Sequence, residues 1–283
     1  HPSTLAKRVQ FLLFLAFIAF YFYGLGHLPL LGPDEPRYAQ IGREMLLNHD
    51  LITPTLGGHT WFEKPALLYW LVAASFKLFG VNEWSARLGP ALCGVMTIAA
   101  VWWMARGFQR NTVSSDWNGY ASWSALITAS CLGLIVFSRG TNFDIVITMT
   151  TAWALGFFFQ SDLTKDQRQQ KLFLFGFYCC VGLSLLAKGL VGLIIPFGVV
   201  FTYFVFRRTI GGKTVWTSLI WGIPLLILVS AIWYGPVIYK NGRIFVDEFF
   251  VQHHFARYIS NKYHHPQPIY FYPAILLMLL VPW

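Results

Sequence analysis

The chain has 283 residues, of which 56% are hydrophobic, 18% aromatic and only 12% charged. Soluble domains carry about 25% charged residues, so this composition excludes a soluble globular protein and points to one embedded in a membrane. The formal net charge of +9 does not indicate a nucleic-acid partner, because the lysines and arginines sit at the ends of apolar runs, as anchors and topology signals do, and not in a basic stripe.

A membrane-spanning helix needs about 20 mostly apolar residues. The first candidate runs from Val9 to Leu25, behind Lys7 and Arg8. No small-residue cleavage site follows it, so an anchor is expected here and not a signal peptide. A polar island occupies Gly26 to Ser85. Further spans are expected at Ala86–Ala105, Tyr120–Phe137, Phe143–Phe159, Leu172–Ala187, Leu190–Phe206, Val215–Tyr234 and, incompletely, Ile269–Trp283. Cys93, Cys131, Cys179 and Cys180 all lie in apolar runs and read as small buried hydrophobes. The first residue is not Met and the last lies in an apolar run, so a fragment of a longer protein is expected.

Loop charges give an orientation. Lys7 and Arg8 precede the first span, Arg106 and Arg110 follow the second, Lys165, Arg168 and Lys171 follow the fourth, and Arg207, Arg208 and Lys213 follow the sixth. Every second boundary is basic, which assigns those boundaries to the cytoplasm. The opposite face then receives the Pro33–Tyr69 island, the Ser138–Asn142 turn, Lys188 and the Gly235–Pro268 loop.

Within the island, Pro36 suits the first turn of a helix, with Asp34 or Glu35 capping or complementing its N-terminus. Tyr38, Ile41 and Met45 fall on one face, opposite Arg37, Gln40 and Glu44, which predicts a short amphipathic helix lying on the membrane surface. Gly57-Gly58 marks a turn. A second short interfacial helix is expected between Pro65 and Phe79.

An ionisable group at membrane depth is costly and is a functional candidate by default. The outer face collects the carboxylates Asp34, Glu35, Glu63 and Asp144 and the cations Arg37, Lys64, Arg139, Lys188 and Arg257. Carboxylates can activate a nucleophile or bind sugar hydroxyls, and Lys and Arg can clamp a phosphate. Each residue also has a plainer reading. Asp34 can be only a helix cap, Glu63 and Lys64 a solvated pair, and Arg139 and Lys188 interfacial anchors. His253, His254, His264 and His265 lack the helical pairing that zinc ligands favour. Convergence of the charges on one face favours a site. The rivals are a transporter or flippase, for which mid-span charges and repeated halves are expected, and a non-catalytic lipid-binding subunit.

Gly-Pro-Asp-Glu-Pro-Arg-Tyr-Ala at 32–39 and Trp-Phe-Glu-Lys-Pro-Ala-Leu-Leu-Tyr-Trp at 61–70 resemble the first extracytoplasmic loop of the bacterial aminoarabinose transferase and protein O-mannosyltransferase superfamily. Ser-Arg-Gly-Thr-Asn-Phe-Asp at 138–144, Ala-Lys-Gly at 187–189, and His-His-Pro-Gln-Pro at 264–268 with the final Pro-Trp resemble its later motifs, most closely in the aminoarabinose transferase branch. The resemblance implies an all-α polytopic fold of the GT-C type, whose long first extracytoplasmic loop carries short interfacial helices. Residues 1–283 would then be its N-terminal transmembrane catalytic region, without the remaining spans and soluble C-terminal domain. It further implies an inverting glycosyltransferase of the bacterial inner membrane, with its active site facing the periplasm. The donor would be a polyprenyl-phosphate sugar and the acceptor lipid A, another envelope glycan or a protein hydroxyl.

By the same resemblance Asp34 is the candidate base or acceptor-positioning group, and Asp144 supports the site or binds sugar. Arg37, Lys64, Lys188 and Arg257 contact the lipid-linked phosphate, Glu63 orients Lys64, and Tyr38 and Arg139 complete the substrate-binding set. Some GT-C branches hold a divalent metal on an acidic pair; none is expected here, and no cofactor beyond the donor itself.

Overall fold

The computed structural model describes residues 4–112, 119–209, 211–249, 268 and 270–283. Every expected apolar segment contains a helix. The helices are α1 (Thr4–Phe22), α2 (Asp34–Leu47), α3 (Leu67–Phe79), α4 (Glu83–Thr112), α5 (Tyr120–Ser130), α6 (Leu132–Ser138), α7 (Phe143–Leu163), α8 (Gln167–Lys188), α9 (Val191–Arg207), α10 (Lys213–Phe245) and α11 (Phe271–Leu280). Among the described residues the strands are β1 (Thr55–Leu56) and β2 (His59–Thr60), an antiparallel hairpin across Gly57-Gly58.

Among the described residues four helices, α4, α7, α8 and α10, are long and apolar enough to cross a membrane. The expected span at Tyr120–Phe137 is not one straight helix. It is α5 and α6, bent by 61° at Cys131. Cys131 itself is extended there, at φ −63° and ψ 126°. The Leu132 amide, freed by it, donates instead to the carbonyl of Val281 at 2.9 Å, so a distant segment satisfies a group that the helix gives up. The span expected at Val215–Tyr234 runs on to Phe245, past Pro236 and through a non-helical Gly242. Trp233, Val237 and Phe245 are buried together with Phe62 and Ala66, so the stretch read as the start of a loop packs as a helix.

The expectation that α2 and α3 lie on the membrane surface is corrected. Their apolar faces are covered by protein. Tyr38, Ile41, Met45, Leu68, Tyr69 and Val72 share one core with Phe143 and Val146 of α7. Gly42 allows the approach: a Cβ there would fall 2.7 Å from Val72 Cγ1.

Two opposite ends emerge. α7 and α8 pack antiparallel, so the start of α7 lies beside the end of α8, where Lys188 pairs with Asp144. Eighteen residues further along α7, about 27 Å of helix rise, Asp162 accepts from Tyr203 Oη at 2.6 Å and Arg207 Nη1 at 2.5 Å. The island is pinned to the Lys188 end: Lys240 pairs with Asp50 at 2.6 Å, and Trp233 Nε1 donates to the Ile52 carbonyl at 2.8 Å.

Candidate active site

The first turn of α2 presents Asp34 and Glu35 in opposite circumstances. Pro33 precedes the helix and no side chain caps it, so the cap reading of Asp34 falls. Asp34 is 61% exposed and accepts from Arg37 Nη1 at 3.3 Å. Glu35 is buried and fully engaged. Its Oε1 accepts from Arg87 Nε at 3.1 Å and the Thr141 amide at 2.7 Å; its Oε2 accepts from Arg87 Nη2 and the Leu31 amide at 2.8 and 2.7 Å.

Arg87 completes the node. Its Nη1 donates to the carbonyls of Leu25 and Leu28 at 2.6 and 2.8 Å, and its Nη2 to that of Pro29 at 2.8 Å. One ion pair thereby ties the loop after α1, the start of α2 and the turn before α7 to the mouth of α4. Burial pushes the Glu35 carboxyl up, but the bonds from Arg87, Leu31 and Thr141 outweigh it and hold it below the ordinary range. Glu35 therefore has no free oxygen to join Asp34 around a cation. Arg87 was absent from the candidates drawn from the sequence. The signal for it is a lone arginine at the start of an apolar run, the same signal that singled out Lys188.

Arg37 lies 5.3 Å over the Trp61 ring and 3.8 Å from Glu63 Oε2, while Lys64 Nζ is 3.4 Å from Glu63 Oε1. Glu63 thus gathers both cations, and the solvated-pair reading is too small for it. Asp144 is placed by local chemistry: Asn142 caps α7, accepting from the Ile145 amide at 3.1 Å, and Asp144 falls in the first turn, where the helix dipole favours a carboxylate. Lys188 sits in the last turn of α8, which Gly189 ends at φ +64°. Asp144 keeps 49% of its side chain exposed despite that pairing.

Two of the expected substrate contacts also have structural partners. Arg139 donates through Nη1 to the Phe20 carbonyl at 2.5 Å and through Nη2 to that of Tyr23 at 2.7 Å, and lies over the Phe20 ring. It caps the end of α1, because the last carbonyls of a helix lack partners. The Tyr38 ring packs edge-on against Phe143 at 4.9 Å in the core. Arg257 and the four histidines from His253 to His265 lie outside the described residues.

Glu44 and Asp50 brace the site. Glu44 accepts from Gln40, Thr55 and the amides of Gly57 and Gly58, gripping the hairpin turn. Asp34, Glu35, Asp144, Arg87 and Arg139 line a cavity of about 570 Å³ with the end of α1 and with α6.

Residues 63–234 match the family described as dolichyl-phosphate-mannose-protein mannosyltransferase. An undecaprenyl phosphate-alpha-4-amino-4-deoxy-L-arabinose arabinosyl transferase of Pseudomonas fluorescens is 29% identical over 99% of this chain and 47% of its own length. Crystal structures of ArnT from Cupriavidus metallidurans, apo and bound to undecaprenyl phosphate, superpose with TM-scores of 0.84 and 0.85. Each is 25% identical and covers 98% of this chain and 49% of the solved one. The chain spans about half the length of the curated relatives it matches.

Proposed function

The chain belongs to the dolichyl-phosphate-mannose-protein mannosyltransferase family, and from that premise we propose that it transfers a sugar from a polyprenyl-phosphate donor to an envelope acceptor, at the outer face of a bacterial inner membrane. The observation that carries this reading is the pairing at one end of the bundle. Asp34 and Asp144 each keep an exposed carboxylate, and each is backed by a cation, Arg37 or Lys188. The Cupriavidus ArnT bound to undecaprenyl phosphate and the names of the relatives support the donor class.

The chemistry needs little machinery. A polyprenyl phosphate leaves with its charge on phosphate oxygen, and Arg37, Lys64 and Lys188 stabilise that charge as it develops. Asp34 accepts the proton of the acceptor oxygen. That oxygen forms a bond to the anomeric carbon as the bond from carbon to phosphate oxygen breaks, and the electron pair departs with the phosphate. Direct displacement inverts the configuration. Glu63 and Asp144 hold Lys64 and Lys188 in register, and Arg257 remains a proposed phosphate contact. No metal and no cofactor takes part in this scheme. The transporter alternative lacks support of its own, since the charged pairs named here lie at helix ends.

Asp34→Asn in the full-length protein is the test. Undecaprenyl-phosphate affinity should stay within about threefold of the parent, while transfer falls by about 10²–10⁴-fold, the range for losing a general base. Near-normal turnover would remove Asp34 from the chemistry.

A further inference from the structure

The end of the bundle opposite Asp34 holds another cavity, of about 630 Å³, between α1, α4 and α5. Arg106 stands on its α4 wall, nineteen residues along the helix from Arg87, or about 28 Å of rise. The transfer scheme makes no use of it. Its volume lies within the range of about 300–1,000 Å³ typical of ligand pockets.

Its three walls grade in the same sense. On α4, Gln109 and Arg106 lie nearest the helix end, and Trp102 and Ala99 follow inward. On α5, which starts at that end, Ser122 precedes Leu126, and on α1 Gln10 precedes Phe14. Gln10 shares the polar end, since a Cβ on Gly119 would stand 3.3 Å from its Nε2. From Gln109 to Ala99 is about 15 Å of helix, half of a hydrocarbon core about 30 Å thick. A polar rim thus stands over an apolar shaft one leaflet deep. Arg106 is exposed, and its guanidinium lies 4.9 Å over the Trp102 ring. Among the described residues it has no hydrogen bond or ion pair. A guanidinium stacked on a ring keeps its N–H fork for an oxyanion. Among the described residues no aspartate or glutamate lines the cavity, so a ligand's ammonium group would find no counter-charge there.

We propose that this cavity binds an anionic phospholipid of the adjoining leaflet, with its phosphate on Arg106 and one acyl chain along Trp102, Phe14 and Leu126. The loop charges assign this end to the cytoplasm, whose leaflet attracts basic side chains through its anionic lipids. Phe11, on one lip, is 61% exposed, which leaves a side entrance for the chain. A free phosphate fits less well, because it would leave the apolar shaft without an occupant. The lipid joins α1 to α4 and α5 and takes no part in sugar transfer. The inference requires only that the bundle crosses a membrane, and it stands apart from the transferase reading.

The test uses the full-length protein, purified in detergent and stripped of lipid. It is titrated with dioleoyl phosphatidylglycerol, dioleoyl phosphatidylethanolamine and glycerol phosphate, and bound molecules are counted by native mass spectrometry. The parent should hold one phosphatidylglycerol at least tenfold more tightly than phosphatidylethanolamine, and glycerol phosphate more weakly than either. Arg106→Gln should bring phosphatidylglycerol down to the affinity of phosphatidylethanolamine. Ser122→Trp plugs the shaft and should weaken both phospholipids by tenfold or more, with Ser122→Leu as a smaller plug if the tryptophan lowers the unfolding midpoint. Midpoints measured without lipid should match the parent's, which shows that the variants fold. Equal affinity of the parent for the two phospholipids would overturn the proposal. So would phosphatidylglycerol binding that either variant leaves unchanged, which would place the lipid elsewhere on the protein. Glycerol phosphate held as tightly as phosphatidylglycerol would make this a site for a free phosphate and overturn it as well.

Discussion

Arg87 and Glu35 form a buried pair whose value depends on everything else they touch. Removing one partner of a buried ion pair costs about 3–5 kcal/mol, because the other charge is left uncompensated. Arg87→Ala should therefore lower the unfolding midpoint sharply in detergent. Replacing both residues by apolar ones is often harmless elsewhere, but not here: Glu35→Leu with Arg87→Met would still strand three carbonyls and the amides of Leu31 and Thr141. The double variant should remain clearly less stable than the parent, and recovery to parental stability would contradict this account. Glu35 also sets an acid limit. Its folded carboxyl titrates below the unfolded one, so its contribution is full above the unfolded value of about 4.3. It is lost as pH falls through the lower folded value, and Glu35→Gln should flatten that part of the pH–stability curve. The cations give a separate expectation. A hydrogen bond to a charged group contributes about 1.5–3 kcal/mol, so Arg37→Ala, Lys64→Ala and Lys188→Ala should each weaken undecaprenyl-phosphate binding by roughly ten- to over a hundred-fold. The Lys64/Lys188 double should lose less than the sum if both hold one phosphate. Asp34, Arg37, Glu63 and Lys64 were legible in the sequence because charge is conspicuous in an apolar chain. Arg87 was not, since its carbonyl partners lie 58 to 62 residues away and one arginine at the mouth of a span reads as an anchor.

Elements were legible where hydrophobic runs decide them and obscure where another element does. Each expected apolar stretch contains a helix, although α4 and α10 run well past the expected bounds. The bend at Cys131 was invisible because the group that satisfies the freed Leu132 amide, the Val281 carbonyl, lies at the far end of the sequence. The covered faces of α2 and α3 were invisible for a similar reason: an amphipathic face looks the same whether lipid or protein will cover it, and here Phe143 and Val146 of α7 do. Two glycines separate backbone geometry from packing. Gly189 ends α8 at φ +64° and ψ −141°, a conformation that costs an L-residue about 1–3 kcal/mol. Gly198 lies inside α9 with nothing within 4 Å of the position a Cβ would take, where alanine should stabilise by up to about 1 kcal/mol. Thermal unfolding should move down for Gly189→Ala and slightly up for Gly198→Ala. Only the former should also weaken undecaprenyl-phosphate binding, because Lys188 is the residue before the strained turn.

At the scale of the whole molecule, the loop charges and the ion pairs divide the segments between the same two ends from independent directions. The positive-inside pattern separates Arg207 and Arg208 from the island by counting basic residues in loops. The structure separates them by contacts: Asp144 with Lys188 and Asp50 with Lys240 join the island to one end of the bundle, and Asp162 with Arg207 closes the other. The contacts fix which segments share an end, and the charges say which end faces the cytoplasm. Single cysteines can test the two statements separately, after Cys131, Cys179 and Cys180, which are partly exposed, are replaced by alanine. His59 in the hairpin, Lys240 and Arg208 are exposed positions suited to the purpose. Cysteines at 59 and 240 should react with an impermeant thiol reagent added from the periplasmic side, and a cysteine at 208 only after the inner membrane is opened. Unequal labelling of 59 and 240 would break the shared end and, with it, the convergence of Asp34, Lys64 and Lys188 on one substrate. Equal labelling of both from the cytoplasmic side alone would leave the site intact but reverse it. A polyprenyl-phosphate transferase built this way would then have to meet its donor before the lipid is flipped, and the envelope acceptor would have to be sought on the inner leaflet.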